Sequence, residues 1–388
     1  MAVATYELRL YDQSGSQVAI FDDWLSLAFS RKVNDAGSYM LTFRDDEEDK
    51  RLDYFKLDTQ LVIMRKIAGF LPWTEEFHAL HRTPNRYIDA NGVANFDSKG
   101  MCYNELLSRR IIAYKEGTIR ADKNDASETV MKEYVTENCT GTADLTWVGR
   151  LNYDADAAVL LYEAGFPNFS VQTDYGNGAT WTGSRPYENL LDVLKDVAEF
   201  SAIDFAVVDN GVASFQFRTY NDQMGTDRTE DNGSVPPVTF VHAMGNIKDL
   251  QYAYDRSSEA NAVIVLGKGD ASTRTTMTRH KPSTQDDSPW NVREISRSAS
   301  NYDEDYETYS LRTSGDEILE EMKGKLDFSF QPLQQESALY GVDYFLGDRV
   351  TVKYGSLTVD RKIVGVNISV SEGQGEQLSL DLSEIPGS

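Results

Sequence analysis

The chain has 388 residues, 40% hydrophobic and 11% aromatic, which is enough apolar material for packed cores in roughly two or three domains. Its 62 Asp and Glu against 38 Lys and Arg leave a formal charge of −24. That surface repels nucleic-acid backbones and anionic membranes, so stable binding to either is disfavoured, although a surface that DNA slides past is allowed.

No run of about 18 apolar residues is present to predict a membrane-spanning helix, and residues 1–10 lack the basic-then-apolar pattern of a secretory signal. Two cysteines, Cys102 and Cys139, are too few for a disulfide framework or a zinc site. Both are expected to be reduced and buried, in a chain made in a cytoplasm.

The opening reads as a meander of short strands. Tyr6, Leu8 and Leu10 alternate with Glu7, Arg9 and Tyr11, the period of a half-buried strand. Residues 12–15 mark a turn and 18–21 resume the strand. Leu25, Leu27 and Phe29 alternate again, Asn34-Asp35-Ala36-Gly37 turns the chain, and Tyr39, Leu41 and Phe43 follow. The charged run 45–50 is expected to be a solvated loop. Residues 61–66 form a further strand and 69–76 a loop. Strands at 77–82 and 93–98 flank a turn at 89–92, whose Asn91-Gly92 step suits a tight hairpin.

Beyond residue 101 the period changes. Leu106, Leu107, Ile111 and Ile112 fit a short helix or a buried strand alike. Asp125 with Glu128 has capping-box spacing, and Val130, Met131, Tyr134, Val135 and Cys139 share one helical face, predicting a helix near 126–138. Residues 141–183 suggest short strands and loops. Pro186, Glu188 and Asp192 suit the start of a helix near 187–199, striped by Leu190, Leu191, Leu194, Val197 and Ala198. A hairpin over 203–217 turns at Asp209-Asn210-Gly211.

The polar stretch 221–237 precedes renewed strands at 238–241, 247–254 and 262–266. Residues 270–293, with Pro282 and Pro289, read as a long loop. Ser314 with Glu317 forms a second capping-box pattern, for a helix near 315–326 carrying Ile318, Leu319, Met322 and Leu326. Alternating strands close the chain through Val350, Val352 and Tyr354, then Val364, Val366, Ile368 and Val370, then Leu378, Leu380 and Leu382.

Chemistry-bearing patterns are sparse. His78 and His81 form an H-x-x-H pair, but on a strand they face opposite ways and cannot share a metal; His242 and His280 are isolated. No G-x-S-x-G elbow occurs. Gly267-Lys268-Gly269 lacks the phosphate-loop spacing and reads as a turn. The many carboxylates fall in turns and helix starts, and a glycosidase pair would need two of them about 5–10 Å apart across a cleft. Tyr153, Tyr162, Phe166, Tyr175 and Trp181 are a possible glycan-stacking set, with core or interface packing the commoner use of such residues. The Asn-x-Ser/Thr matches at Asn138, Asn168, Asn232 and Asn367 are read as chance. No catalytic, cofactor-binding or metal residue is assigned, and no enzyme activity or cofactor is expected.

Three stretches, in order, resemble the tail-hub proteins of siphophages, most closely those infecting Gram-positive hosts. They are the meander ending in Asn34-Asp35-Ala36-Gly37 and 39–43; the segment 187–200 with the Asp209-Asn210-Gly211 hairpin; and 225–228 through Gly245-Asn246-Ile247 to 259–267. Residues 346–352 also look like the last barrel of such hubs, whereas 270–310 carry no likeness.

The resemblance implies an α+β, mainly β architecture: two discontinuous tube-forming β-barrel domains with intervening α+β domains. It places a first tube barrel at 1–110, an α+β middle domain at 111–222, and a second tube barrel at 223–388 with a loop insertion near 270–310. It implies a homotrimeric ring that closes the distal end of a tail tube in the virion. Six barrels then match a sixfold tube. The implied neighbours are a distal tail or tail tube protein, the tape measure protein and receptor-binding or fibre proteins, with DNA only in transit. An acidic lumen is expected from the net charge. The competing expectations are a tail-associated cell-wall hydrolase and a glycan-binding tail-tip module.

Overall fold

The computed structural model describes residues 3–45, 50–115, 121–140, 147–148, 165–211, 213–281, 288–299, 306–335, 338–371 and 373–385. Period-two alternation builds its first part. Strand β1 (Ala4–Tyr11) buries Tyr6, Leu8 and Leu10. β2 (Gln17–Phe21), β3 (Trp24–Lys32) and β4 (Ser38–Arg44) follow where the pattern puts them. The charged run ends in a short helix, α1 (Lys50–Tyr54), while its residues 46–49 lie outside the described residues.

Next come β5 (Gln60–Ile67), β6 (Leu71–Ile88) and β7 (Ala94–Cys102). The loop expected over 69–76 shrinks to a tight turn. Leu71 and Thr74 extend the antiparallel ladder opposite Ile67 and Arg65, so β6 runs for 18 residues.

The middle part contains α2 (Glu105–Ser108), β8 (Tyr114–Lys115), β9 (Asp122–Ala126), α3 (Ser127–Cys139), β10 (Trp147–Val148), β11 (Phe169–Val171), β12 (Thr180–Ser184), α4 (Leu190–Ser201), β13 (Asp204–Asp209) and β14 (Phe215–Tyr220). The apolar stripes of α3 and α4 pack face to face in one core with Trp181, Phe205 and Phe217. Cys139 is fully buried there, and both cysteines are free.

The first capping box does not form. Asp125 is spent in β9, and Glu128 turns inward to Lys132 and Asn177. α4 is capped instead by Asn189, whose side chain accepts from the Leu191 N–H at 3.0 Å, so Pro186 and Glu188 precede the helix. Most of 141–164 lies outside the described residues.

The last part holds β15 (Asp227–Arg228), β16 (Thr239–Val241), β17 (Ile247–Asp255), β18 (Ala262–Leu266), β19 (Thr276–His280), β20 (Glu294–Ser298), α5 (Glu307–Glu321), β21 (Lys325–Pro332), β22 (Arg349–Tyr354), β23 (Leu357–Ser371) and β24 (Gln374–Ser383). Within the stretch expected as a loop near 270–310, the described residues include two five-residue strands, β19 and β20, and the start of α5. β19 and β20 flank β18, antiparallel and parallel, and α5 covers one face. Val263, Val265, Leu311, Ile318 and Leu319 form its small core. The outward positions of β19 and β20 are polar, and Thr276, Thr278 and Ser296 there made these segments read as loop. α5 begins seven residues before the expected Ser314 cap; Ser314 is buried mid-helix, and Leu326 belongs to β21.

The first and last parts share one twelve-stranded sheet, in the order β15-β22-β23-β3-β4-β7-β6-β5-β1-β2, with β16 also on β22 and β24 also on β23. The β3–β23 pairing joins them, with Phe29 opposite Ile368, and one core lies beneath both. β17 and β21 form a separate ladder whose β21 packs alongside β24. Among the described residues no sheet closes on itself into a barrel.

Candidate functional site

The sequence features that stand out form joints between distant segments. Asn34 turns the chain between β3 and β4 with φ 58°, a left-handed conformation that Asn tolerates. Its Oδ1 accepts from the Phe205 N–H at 2.7 Å and its Nδ2 donates to Asp204 Oδ1 at 3.0 Å. Asp204, fully buried, also accepts from Lys362 Nζ at 2.6 Å and from the Met224 N–H at 2.6 Å. Asn104 donates to the Asp35 carbonyl at 2.9 Å and accepts from the Val207 N–H at 2.7 Å. Gly37 completes the turn, because a Cβ there would lie 2.0 Å from the Ser30 carbonyl oxygen. The Asn-Asp-Ala-Gly turn is thus the seat of the middle hairpin on the large sheet.

A second joint brings 225–228 onto 346–352. β15 runs parallel to β22. Buried Asp348 accepts from the Thr226 N–H at 2.6 Å, the Phe345 N–H at 2.9 Å and Arg228 Nε at 2.9 Å. Burial pushes its carboxyl above the ordinary range despite those donors. Gly225 is required here, since a Cβ would meet the Asp348 nitrogen at 2.3 Å.

A third joint gave no sequence signal. Arg65, fully buried, makes a bidentate pair with Glu376, 2.8 Å on each arm, and donates to the Tyr340 carbonyl at 2.8 Å. Tyr6 also hydrogen-bonds Glu376. Arg31 and Tyr340 converge on Glu76 at 2.6 and 2.7 Å. β1, β5 and β6 are thereby tied to β24 and the 340 segment.

The side of the large sheet away from its core is an open trough of ≈ 1160 Å³, running from β6 across β7, β4, β3 and β23 to β24 and β21. Strand register lays its floor in two rows. One is Lys99, Met40, Ala28, Ser369 and Gln377; the other is Met101, Ser38, Ser30, Asn367 and Ser379. Its charges are Arg82 and Lys99 against Glu105, Asp249 and Asp381, a near-neutral surface on a chain of charge −24. Among the described residues two stretches of sheet edge stay free. β2, with Val18 and Ile20 exposed, pairs only with β1, and residues 83–88 of β6 lie beyond the reach of β5.

The remaining sequence candidates separate. His78 lies 3.3 Å from Glu75, whereas buried His81 shares a 2.7 Å hydrogen bond with the Ser98 hydroxyl. Among the described residues no metal cluster gathers, and no helix is long and apolar enough to cross a membrane. Of the aromatic set, Trp181 is fully buried and donates to Glu317, Phe166 packs on the middle core beneath Arg110, and Tyr175 is exposed. Tyr153 and Tyr162 lie outside the described residues. Gly267 and Gly269 form the turn between β18 and β19.

Burial lowers the His81 pKa to about 4. The unfolded chain takes up that proton below about pH 6.5 while the folded chain does not, so folding stability falls as pH drops from there toward 4. Urea unfolding between pH 7 and 5 is expected to show a smaller loss of midpoint in His81→Asn than in the parent. Equal losses would remove His81 as a source of acid lability.

Three solved structures share the fold over nearly their whole length. The tail protein from Neisseria meningitidis MC58 is 11% identical, with TM-score 0.55, covering 98% of this chain and 97% of its own. The prophage MuSo2 43 kDa tail protein from Shewanella oneidensis is 10% identical, TM-score 0.54, covering 97% and 98%. The prophage tail protein gp18 from Listeria monocytogenes EGD-e is 10% identical, TM-score 0.51, covering 97% and 94%. No curated protein matches the sequence. The family model described as siphovirus ReqiPepy6 Gp37-like protein matches residues 7–382. The chain therefore belongs to the siphovirus ReqiPepy6 Gp37-like family and is built on the fold of phage tail proteins.

Proposed function

We propose that the chain is a structural tail-hub subunit of the virion, three copies of which close the distal end of a tail tube and link it to the receptor-binding tip. The observation that carries this is the open trough: a wall with Ala28, Ser30, Ser38, Ser369 and Ser379 along its middle, whose few charges nearly cancel on a strongly acidic protein. Few cations face it, so passing DNA finds few phosphate contacts and little counterion release to hold it. Short side chains keep the bore wide. The lumen is then near-neutral, in place of the acidic lining that net charge alone suggested.

Each half of the large sheet supplies one barrel-like wall. The first is 1–110 and the second 223–388, with 111–222 as the α+β middle domain outside the conduit. Free edges at β2 and at 83–88 of β6 suit lateral joining to neighbouring copies, since an unpaired edge recruits another chain. A heterologous contact of that kind closes into a ring at a fixed rotation. Distal tail or tube proteins, the tape measure protein and receptor-binding or fibre proteins are the neighbours such a position implies. Fully buried Trp181 offers no stacking face, so the glycan-platform reading loses its central member.

Imaging of the intact particle tests the position. Three copies about the tail axis, each giving two halves to the wall, are expected; an off-axis location would sink the proposal. Charge tests the trough. Ala28→Arg with Ser369→Arg, both exposed cross-strand neighbours, is expected to leave assembly intact and slow DNA ejection, with the slowing relieved by salt. Unchanged ejection would remove the trough from the DNA path.

A further inference from the structure

Helix α5 is shared between two bodies. One face packs into the small core of its own sheet, and another lies against β12 and α4 of the middle unit. At this second contact the carboxylate of Glu317 is a bridge. Its Oε1 accepts from the buried Trp181 Nε1 at 3.1 Å, and its Oε2 faces Arg185 Nη2 at 3.3 Å. Arg185, also buried, reaches Glu188 at 3.0 Å and Asp196 at 3.2 Å. One guanidinium therefore serves three carboxylates.

Beside it opens a cavity of ≈ 520 Å³ with walls from both bodies. α4 contributes Asp196 and Glu199; α5 contributes Asp316, Glu320 and Glu321. The other cations nearby are engaged mainly within the smaller body: Arg279 with Asp316 at 2.7 Å, Lys281 with Glu320 at 2.6 Å, Arg297 with Glu321 at 3.8 Å, and Lys323 with Glu320 and, at 3.9 Å, with Glu384 beyond it. The contact between the bodies thus gathers more negative charge than Arg185 offsets.

We propose that this contact is a proton-operated latch, which docks the 256–324 body on the middle unit at mildly acidic pH and releases it as pH rises. The latch does not depend on where the chain sits in the tail. Burial pushes the Glu317 carboxyl up to about 7, opposed by Arg185 and by the Trp181 hydrogen bond and reinforced by Asp196 and Glu188. Burial raises Asp196 and Glu199 as well. Glu320 is held low despite its burial by Lys281 and Lys323, which lie in its own body and stay with it on release. Undocking returns Glu317 to water and parts it from Asp196 and Glu188, so the docked state binds more protons. Docking is therefore strongest below the ordinary carboxylate range and is lost as pH climbs through about 7.

Hydrogen exchange on the full chain, with rates divided by the intrinsic rate at each pH, tests this. Protection of α5 and of 180–185 is expected to fall at least about tenfold from pH 5 to pH 8. In Glu317→Gln, which keeps an acceptor for Trp181, the fall is expected to flatten. Asp196→Asn, at a half-exposed and milder position, is expected to reduce the slope without loss of fold. Protection independent of pH in the parent would overturn the latch, and so would a slope unchanged in both variants.

Discussion

Replacing Glu376 by Ala is expected to destabilise the large sheet by about 3–5 kcal/mol, the range for breaking a buried ion pair from one side. The carboxylate is nearly inaccessible and its partner Arg65 completely so. Removing it leaves a guanidinium with one remaining carbonyl acceptor, at Tyr340, and the Tyr6 hydroxyl beside its Nε at 3.0 Å. A charge in that position cannot recover its hydration without opening the sheet. The pair joins β5 to the start of β24, hundreds of residues apart in sequence, so the loss should lower cooperativity between the two ends of the chain as well as stability.

Urea unfolding followed by far-UV circular dichroism measures the effect. A loss below about 1 kcal/mol, the exposed-pair range, would mean that the charges are solvated after all. Arg65→Met combined with Glu376→Leu should recover much of the loss, because an apolar pair of similar volume carries no desolvation penalty.

The strands of the large sheet were legible because one face is buried and the other is not. Tyr6, Leu8 and Leu10, or Leu378 and Leu380, announce themselves by alternation. The same rule failed where exposure is nearly complete. β19 and β20 are held by one strand and one helix, and their outward Thr and Ser residues look like a loop. Neither capping box forms, although the first still marks the start of α3: the acidic residue of each, Glu128 and Glu317, is used in a buried contact with a distant segment, which local spacing cannot reveal.

Ordered motifs fared better than single residues. Asn34-Asp35-Ala36-Gly37 and Gly225 through Arg228 proved to be joints: close backbone approach requires their glycines, and Asn34 serves through its hydrogen bonds to Asp204 and Phe205. The Arg65–Glu376 clamp had no signature, since neither residue neighbours the other in any local pattern. Pairing of β3 with β23 was equally invisible; both strands read as ordinary alternating segments whose partners only the assembled sheet selects.

Asp204→Ala is expected to loosen the middle unit from the sheet by a similar amount, about 3–5 kcal/mol, while leaving the sheet itself folded. Asp204 is the point where three segments meet: Asn34 from the β3–β4 turn, Lys362 from β23 and the Met224 amide after the hairpin. Lys362 is buried, and without the carboxylate its ammonium must stay unpaired or drag its strand toward water. Asn34 retains its bond to the Phe205 N–H, so β13 should keep its register and swing as a unit. Hydrogen exchange separates the two outcomes. Increased exchange confined to 203–224 and the turn at 34–37, with β5 and β6 unchanged, is the expected pattern. Uniform loss of protection across β3, β4 and β23 would show instead that the joint holds up the sheet, and that the middle unit is part of one cooperative body with the wall it decorates.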